Sequence, residues 1–322
     1  MSDCIDRRVS VAPMMDWTDR HCRYFLRLIS PDVLLYTEMI TAQAIVHGDA
    51  PRLLGFDPSE HPVALQIGGS DPDLLARGAR AGERAGYGEI NLNVGCPSDR
   101  VQSGRFGACL MAEPALVAEC VSAMREAVRI PVTVKCRLGI DGHDDYDFLS
   151  RFVAAVSDGG CRVFNVHARV AILKGLSPKE NREIPPLNYA SVYRLKADHP
   201  ELTIVLNGGV RSVADCQGHL GRLDGVIIGR EAYHNPWILA EAGAAVFGRA
   251  VPAREDIARR MVPYVEAQMR RGHRPGAITR HMLGLYAGQP GARRWRRLLA
   301  EGAAKPGATA ALILDALPPA AG

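Results

Sequence analysis

The chain has 322 residues, 47% hydrophobic and 23% charged, and a net charge of +4, so it can bury a large core and is neither disordered, fibrous nor low in complexity. Its eight cysteines (Cys4, Cys22, Cys96, Cys109, Cys120, Cys136, Cys161 and Cys216) are scattered and never form a C-x-x-C pair, which argues against a disulfide framework and a structural zinc site. No apolar run reaches the roughly 18 residues of a membrane span, and Met1-Ser2-Asp3-Cys4 does not begin a signal peptide, so a reducing cytoplasm is expected, with no membrane partner and no metal.

Short apolar, β-branched runs recur along the chain at Val9–Met14, Leu34–Ile40, Pro62–Ile67, Glu89–Val94, Val132–Leu138, Arg162–Ala168, Thr203–Asn207 and Gly225–Ile228. Between them, Asp71–Ala85, Pro114–Val128, Asp145–Ser157 and Ser212–Leu220 carry helical spacing, with plausible starts at Ser70-Asp71-Pro72 and Glu113-Pro114. Eight strands alternating with helices predict an α/β protein built as a closed parallel barrel, the TIM (β/α)8 fold. After the last strand the pattern turns wholly helical: Ile257, Met261, Val262, Val265 and Met269 fall on one face, followed by stretches near Ile278–Leu285 and Arg293–Ala300. We therefore expect a catalytic barrel over 1–245 and a small helical domain over 246–322, ending in a frayed Pro-Pro-Ala-Ala-Gly.

Charge is uneven along the chain. From Arg249 onward there are 13 Lys/Arg and 5 Asp/Glu, or +8, which leaves −4 for the rest, so the tail alone reads as basic. A phosphate-rich partner is one explanation and an Arg-rich solvated surface is the other.

In a TIM barrel the strand ends and the loops after them form the active face. The runs end in Ala12-Pro13-Met14-Met15-Asp16, Gln66-Ile67-Gly68-Gly69, Asn91-Leu92-Asn93-Val94-Gly95-Cys96-Pro97, Lys135, His167 with Arg169, Asn207-Gly208-Gly209 and Gly229-Arg230. Glycines at the last two adjacent ends suit a phosphate held on backbone N–H groups, with Arg230 adding a charge-assisted contact, although singly they could merely turn the chain. With Lys135 and Gln66 the set suits a flavin mononucleotide across the barrel mouth: Lys135 would face the reduced ring and Gln66 would both donate to and accept from its pyrimidine edge. A buried Lys135 paired with a carboxylate is the competing reading. Cys96, in a loop, can serve as a general acid, because a thiol with its usual pKa near 8.5 is mostly protonated at neutral pH. Cys109 is the rival, but its neighbours look like a helix entry, and Cys120, Cys136, Cys161 and Cys216 read as buried hydrophobes.

These residues also carry a family resemblance. Ser10-Val11-Ala12-Pro13-Met14-Met15-Asp16-Trp17-Thr18-Asp19-Arg20-His21 resembles the opening of the tRNA-dihydrouridine synthases, and Asn91 to Ser98 resembles their catalytic loop. The likeness continues through Val132 to Lys135, His167 to Arg169, Asn207 to Gly209 and Gly229-Arg230. Gly175 to Arg182, Ile278 to Met282 and Gly291 to Arg297 look like the A subfamily, which modifies positions 20 and 20a of the tRNA D-loop. The resemblance implies FMN as cofactor, NADPH as reductant, tRNA as substrate and Cys96 as proton donor. It implies that Pro13, Met14, Met15, Gln66, Lys135, His167, Asn207, Gly208, Gly209, Gly229 and Arg230 hold FMN, that Asn93 contacts the target nucleotide, that Lys179, Arg182, Arg293 and Arg296 orient tRNA, and that a helical C-terminal domain helps hold it. A monomer without a stable protein partner is expected. The chain departs from the family at Val170-Ala171-Ile172, where the resemblance leads to Lys-Ala-Trp, so a tRNA contact from a Lys at 170 is missing. Two rivals stand beside this reading: an FMN-dependent reductase of a free pyrimidine, which the basic tail disfavours, and a non-enzymatic tRNA-binding barrel, which the intact Cys96, Lys135 and His167 disfavour.

Overall fold

The β-branched runs pair as strands because each carries side chains that must be covered on the outside of a sheet. A computed structural model describes residues 5–319; Met1 to Cys4 and the last three residues of the Pro-Pro-Ala-Ala-Gly end lie outside it. The strands are β1 (Val9–Val11), β2 (Leu34–Tyr36), β3 (Ile40–Thr41), β4 (Val63–Gly68), β5 (Glu89–Val94), β6 (Val132–Arg137), β7 (Val163–His167), β8 (Thr203–Asn207) and β9 (Gly225–Ile228). Every pairing is parallel, and the ring closes because β1 pairs with both β2 and β9 while β2 pairs with β4. The barrel thus has the eight expected strands, and β3 is an extra two-residue edge against β4.

The run Leu34–Ile40 corrects one expectation: it is two strands with a break at Thr37 to Met39. Thr37 Oγ1 donates to the Glu38 carbonyl at 2.7 Å and accepts from the Gln66 N–H at 3.0 Å, while a Glu38 carboxylate oxygen accepts from the Asp16 N–H at 2.5 Å. These bonds satisfy groups that a continuous ladder would otherwise use.

The helices start where the caps require. Asp71 accepts from Leu74 N–H at 2.9 Å ahead of Pro72–Ala85, which ends at the left-handed Gly86 (φ 99°). Ser212 and Asp215 form a reciprocal capping box before Val213–Leu220. Their apolar faces cover the outside of the strands in one continuous core. The barrel interior is different: Ser10, Tyr36, Gln66, Glu89, Asn91, Thr133 and Asn165 are all buried there, where branched apolar side chains usually dominate.

Helix Ile238–Phe247 passes the expected boundary at 245, and Arg254–Arg270 follows it. Ile257, Met261 and Val265 are buried as the spacing predicts, and Tyr264 and Gln268 join them. Tyr264 stacks on Tyr24 at 3.8 Å and meets His21 Nδ1 through its hydroxyl at 2.8 Å. The stretch Ile278–Leu285 is not one helix. It breaks into a helix Pro275–Thr279 and a 3-10 turn Arg280–Met282, and beyond them Gly284 lies so close to the His234 backbone that a Cβ there would sit 2.5 Å from its carbonyl oxygen. Helices Ala292–Ala303 and Leu312–Ala316 complete the region, with Trp295 fully buried and its indole N–H donated to the Met282 carbonyl at 2.8 Å. Among the described residues no helix is long and apolar enough to cross a membrane.

The seam between barrel and tail is sensitive to protons. Asp19 accepts from the His21 and Cys22 amides, from Arg280 Nη2 at 2.9 Å and from His281 Nε2 at 3.0 Å; although burial opposes it, these bonds and the nearby charges hold its carboxyl well below the usual range. Burial pushes His21 down to about 4 against the pull of Asp19, with His273, His281 and Arg20 adding to the depression. Above the ordinary histidine pKa of about 6.5 this has no effect on stability; as pH falls towards 4 the unfolded chain takes up a proton that the folded one refuses. The seam is therefore expected to lose about 2 kcal/mol at pH 5 relative to pH 7. Thermal midpoints at both pH values check this, with His21→Gln expected to flatten the difference and an equally steep variant ruling out His21 as the cause.

Candidate active site

The parallel register delivers the site. Pairing sets Asn93 beside Lys135, Arg137 beside His167, and His167 beside Asn207, so residues far apart in sequence become neighbours at one end of the barrel. They line a cleft of about 860 Å³ together with Pro13, Met14, Met15, Trp17, Gln66, Cys96, Gly208, Gly209, Gly229 and Arg230. All eleven positions expected to hold a flavin, and Cys96, Asn93 and Arg182, therefore share one cavity, of the size that encloses a cofactor.

Cys96 is half-buried in the loop after β5, its thiol donating to Ser98 Oγ at 3.5 Å. The loop is held by Asn93, whose Oδ1 accepts from the Gly95 and Cys96 amides at 3.1 and 3.0 Å, and by Ala108 N–H, which donates to the Cys96 carbonyl at 2.9 Å. Cys109 is outside the cleft lining, in the turn Gly107–Ala112, with its thiol donated to the Phe106 carbonyl at 3.1 Å; burial and Glu113 push its pKa up. Cys120, Cys136, Cys161 and Cys216 are fully buried.

The carboxylate reading of Lys135 fails: its Nζ donates to Asn207 Oδ1 at 2.9 Å. Burial, reinforced by Arg137, pushes it down to about 8. His167 is held well below its ordinary value by burial and by Arg137 and Lys135, so it is neutral at physiological pH, and its Nδ1 is buried with no hydrogen-bond partner among the described residues. Gly208 and Gly209 have φ of 110° and 78°, a conformation that disfavours side chains, and a Cβ on Gly209 would also strike Tyr189 and Leu187. Around Gly229 there is open space. Arg230 is ion-paired to Glu183 at 2.5 Å.

Three features were missed from sequence. The first is Arg137, buried, which donates to the Gly95 carbonyl at 3.1 Å and the Asn181 carbonyl at 3.0 Å and so ties the Cys96 loop to the excursion after β7; burial pushes it down to about 10. Its signal was its place two residues after Lys135, on the same face of the strand. The second is Trp17, which lines the cleft and stacks on Tyr233 at 4.4 Å. The third corrects the charge reading: the tail is not the only basic region, because Lys135, Arg137, Arg169, Arg182, Arg211 and Arg230 converge on the cleft against Asp16, Glu183 and Glu231. Summed over sequence these cations are hidden by acids elsewhere on the barrel.

The other expected tRNA positions are dispersed. Lys179 is exposed on the segment before Arg182 and outside the cleft lining. Arg293 and Arg296 are exposed on helix Ala292–Ala303, also outside it. At the departing positions, the Val170 carbonyl accepts from Arg137 at 3.5 Å and the Ile172 N–H donates to Asn181 Oδ1 at 2.7 Å, so the backbone of this segment is anchored from inside. Among the described residues no group of three or more His, Cys, Asp or Glu could hold a metal ion.

The Dihydrouridine synthase (Dus) family model matches residues 10–318. A tRNA-dihydrouridine(20/20a) synthase of Vibrio parahaemolyticus is 58% identical over 313 residues, 96% of each chain. One of Pseudomonas putida is 60% identical over 295 residues, 91% of this chain and 88% of its own. Among solved structures, a 2-naphthoyl-CoA reductase in complex with 2-naphthoyl-CoA superposes with a TM-score of 0.56 at 11% identity, over 75% of this chain and 50% of that one, a likeness of fold alone. With its motifs gathered at one barrel mouth and a family match along nearly its whole length, the chain belongs to the dihydrouridine synthases, a family of flavin-dependent oxidoreductases.

Proposed function

We propose that the chain reduces uridine to 5,6-dihydrouridine at positions 20 and 20a of the tRNA D-loop, with FMN as cofactor, NADPH as reductant and Cys96 as proton donor; relatives at 58% identity carry the (20/20a) name. The observation that carries the reading is the convergence of Cys96, Asn93, Lys135 and His167 on one cation-lined cleft.

The residues present fit FMN. Half-buried His167 lines the cleft, and the open space at Gly229 beside the left-handed Gly208 and Gly209 leaves room for a phosphate on backbone N–H groups. Pro13, Met14, Met15, Gln66, Lys135, His167, Asn207, Gly208, Gly209, Gly229 and Arg230 would hold it, and when bound it would supply hydride to uracil C6. Lys135 brings positive charge to the ring, held in place by Asn207. Arg230 would exchange its partner Glu183 for the phosphate. Cys96 holds the proton destined for uracil C5, and Asn93, fixed by the Cys96 loop, faces the target nucleotide.

A uridine folded into tRNA must first be extracted, at a cost of a few kcal/mol. Phosphate contacts from Lys179, Arg182, Arg293 and Arg296 offset it, with 246–322 acting as the tRNA-binding domain. The absence of a Lys at 170 shifts that task to these cations. The seven described cysteines are free thiols, which supports a reducing cytoplasm, and we take the working unit to be a monomer.

Mapping dihydrouridine in tRNA from a strain lacking the gene tests the function: loss confined to positions 20 and 20a is expected, and an unchanged map would refute it. Arg230→Ala is expected to purify with clearly lower flavin occupancy and near-normal tRNA affinity; full occupancy would remove Arg230 from the phosphate site.

A further inference from the structure

From the closed end of the barrel to its mouth runs one unbroken chain of buried side-chain hydrogen bonds. Glu89, the first residue of β5, is fully buried, ion-paired to Arg7 and hydrogen-bonded by Tyr36 Oη at 3.2 Å. Thr133 Oγ1 donates to Glu89 Oε1 at 2.7 Å and accepts from Asn91 Nδ2 at 2.8 Å. Asn91 Oδ1 accepts from Gln66 Nε2 at 2.8 Å, and Gln66 Oε1 accepts from Asn93 Nδ2 at 2.8 Å. Asn93 Oδ1 then takes the amides of Gly95 and Cys96.

Both ends of this chain dictate the same direction. Backbone N–H groups are donors only, so Asn93 must turn its oxygen to the Cys96 loop and its NH₂ to Gln66, and each amide in turn orients the next. At the far end an ion-paired carboxylate accepts only, so the Thr133 proton points to Glu89 and its lone pair to Asn91. Reversing one amide would set donor against donor and leave buried groups unpaired, at 1–3 kcal/mol each by the usual cost. Three amides are thereby locked as a unit, two of which, Gln66 and Asn93, line the cleft.

We propose that Glu89, acting through Thr133 and Asn91, is a positioning residue for the proton-donating loop: it fixes which atoms Gln66 and Asn93 present to the cleft and holds Cys96 in place. The inference rests on the proposed role of Cys96, but the chain of bonds exists without any ligand. Gln66 keeps one N–H and one lone pair free in a fixed order, and the backbone of Cys96 is restrained by a carboxylate at the opposite end of the barrel.

Thr133→Val breaks the chain while leaving the Glu89 contacts with Arg7 and Tyr36 intact. Thr133→Ser restores the hydroxyl, Thr133→Ala is a second break should the valine variant fold poorly, and Tyr36→Phe removes a different hydrogen bond to Glu89. Iodoacetamide labelling of Cys96, followed by peptide mapping, and amide hydrogen exchange at Gly95 and Cys96 are measured on the full-length purified protein. Both breaks are expected to accelerate labelling and exchange on the order of tenfold, the equivalent of one hydrogen bond, with Thr133→Ser and Tyr36→Phe near wild type. Flavin reoxidation by tRNA is expected to slow at saturating tRNA, with KM unchanged. Wild-type labelling and exchange in the broken variants, or equal acceleration in Tyr36→Phe, would overturn the positioning role. Labelling and exchange need neither flavin nor tRNA, so they decide it even if the enzyme proves to reduce another substrate.

Discussion

Cys96→Ala is expected to bind flavin and tRNA and to bleach normally with NADPH, yet to reoxidise with tRNA about 10²–10⁴-fold more slowly, the loss typical of a removed general acid. The two halves of the reaction separate because uracil C5 needs a proton only in the second. NADPH oxidation places no demand on the thiol. The substitution leaves the loop intact, since Asn93 and Ala108 hold it through the backbone of residue 96 and the thiol itself contributes a single long hydrogen bond to Ser98. Cys109→Ala is the control: its thiol is spent on the Phe106 carbonyl outside the cleft, and both halves should stay near wild type. Stopped-flow flavin absorbance with unmodified tRNA reads both. Wild-type turnover of tRNA by Cys96→Ala would move the acid elsewhere.

Affinity for tRNA is expected to fall roughly a hundredfold between 50 and 200 mM salt if four phosphates are neutralised, one each by Lys179, Arg182, Arg293 and Arg296. Arg293→Ala and Arg296→Ala should each lower the slope of log affinity against log salt by about one. Both side chains are exposed and lack an ion-pair partner among the described residues, so removing them costs the fold little. The cleft cations respond differently: Arg137 is bound to Gly95 and Asn181, and replacing it would disturb the Cys96 loop as well as the charge. Filter binding across ionic strength with the two variants distinguishes these contributions, and an affinity indifferent to salt would deny the tail its part in holding tRNA.

The alternation of runs and helices was legible in the sequence because burial on the outer face of a strand needs only local pattern. Val132–Arg137 and Thr203–Asn207 announce themselves in their own residues, and the caps at Asp71 and Ser212 act within one turn. The cleft residues were legible for a related reason: a parallel barrel puts every strand end at one mouth, so reading those ends finds Cys96, Lys135 and His167 without knowing any distance. What stayed hidden depends on neighbours across strands. The division of Leu34–Ile40 follows from bonds that Thr37 and Glu38 make to Gln66 and Asp16, and inside the broken stretch Ile278–Leu285 the close approach of Gly284 to His234 is a contact no local pattern announces. The basic cleft was invisible because net charge sums over sequence while a field sums over space; six cations from β6 and from segments after later strands meet there though the barrel half is acidic. The sequence by itself determined the barrel, its mouth and the residues that reach it; the tertiary structure decided how those residues are held, because register between strands, which no single strand encodes, is what joins Glu89 to Thr133, Asn91 to Gln66 and Asn93 to the loop of Cys96.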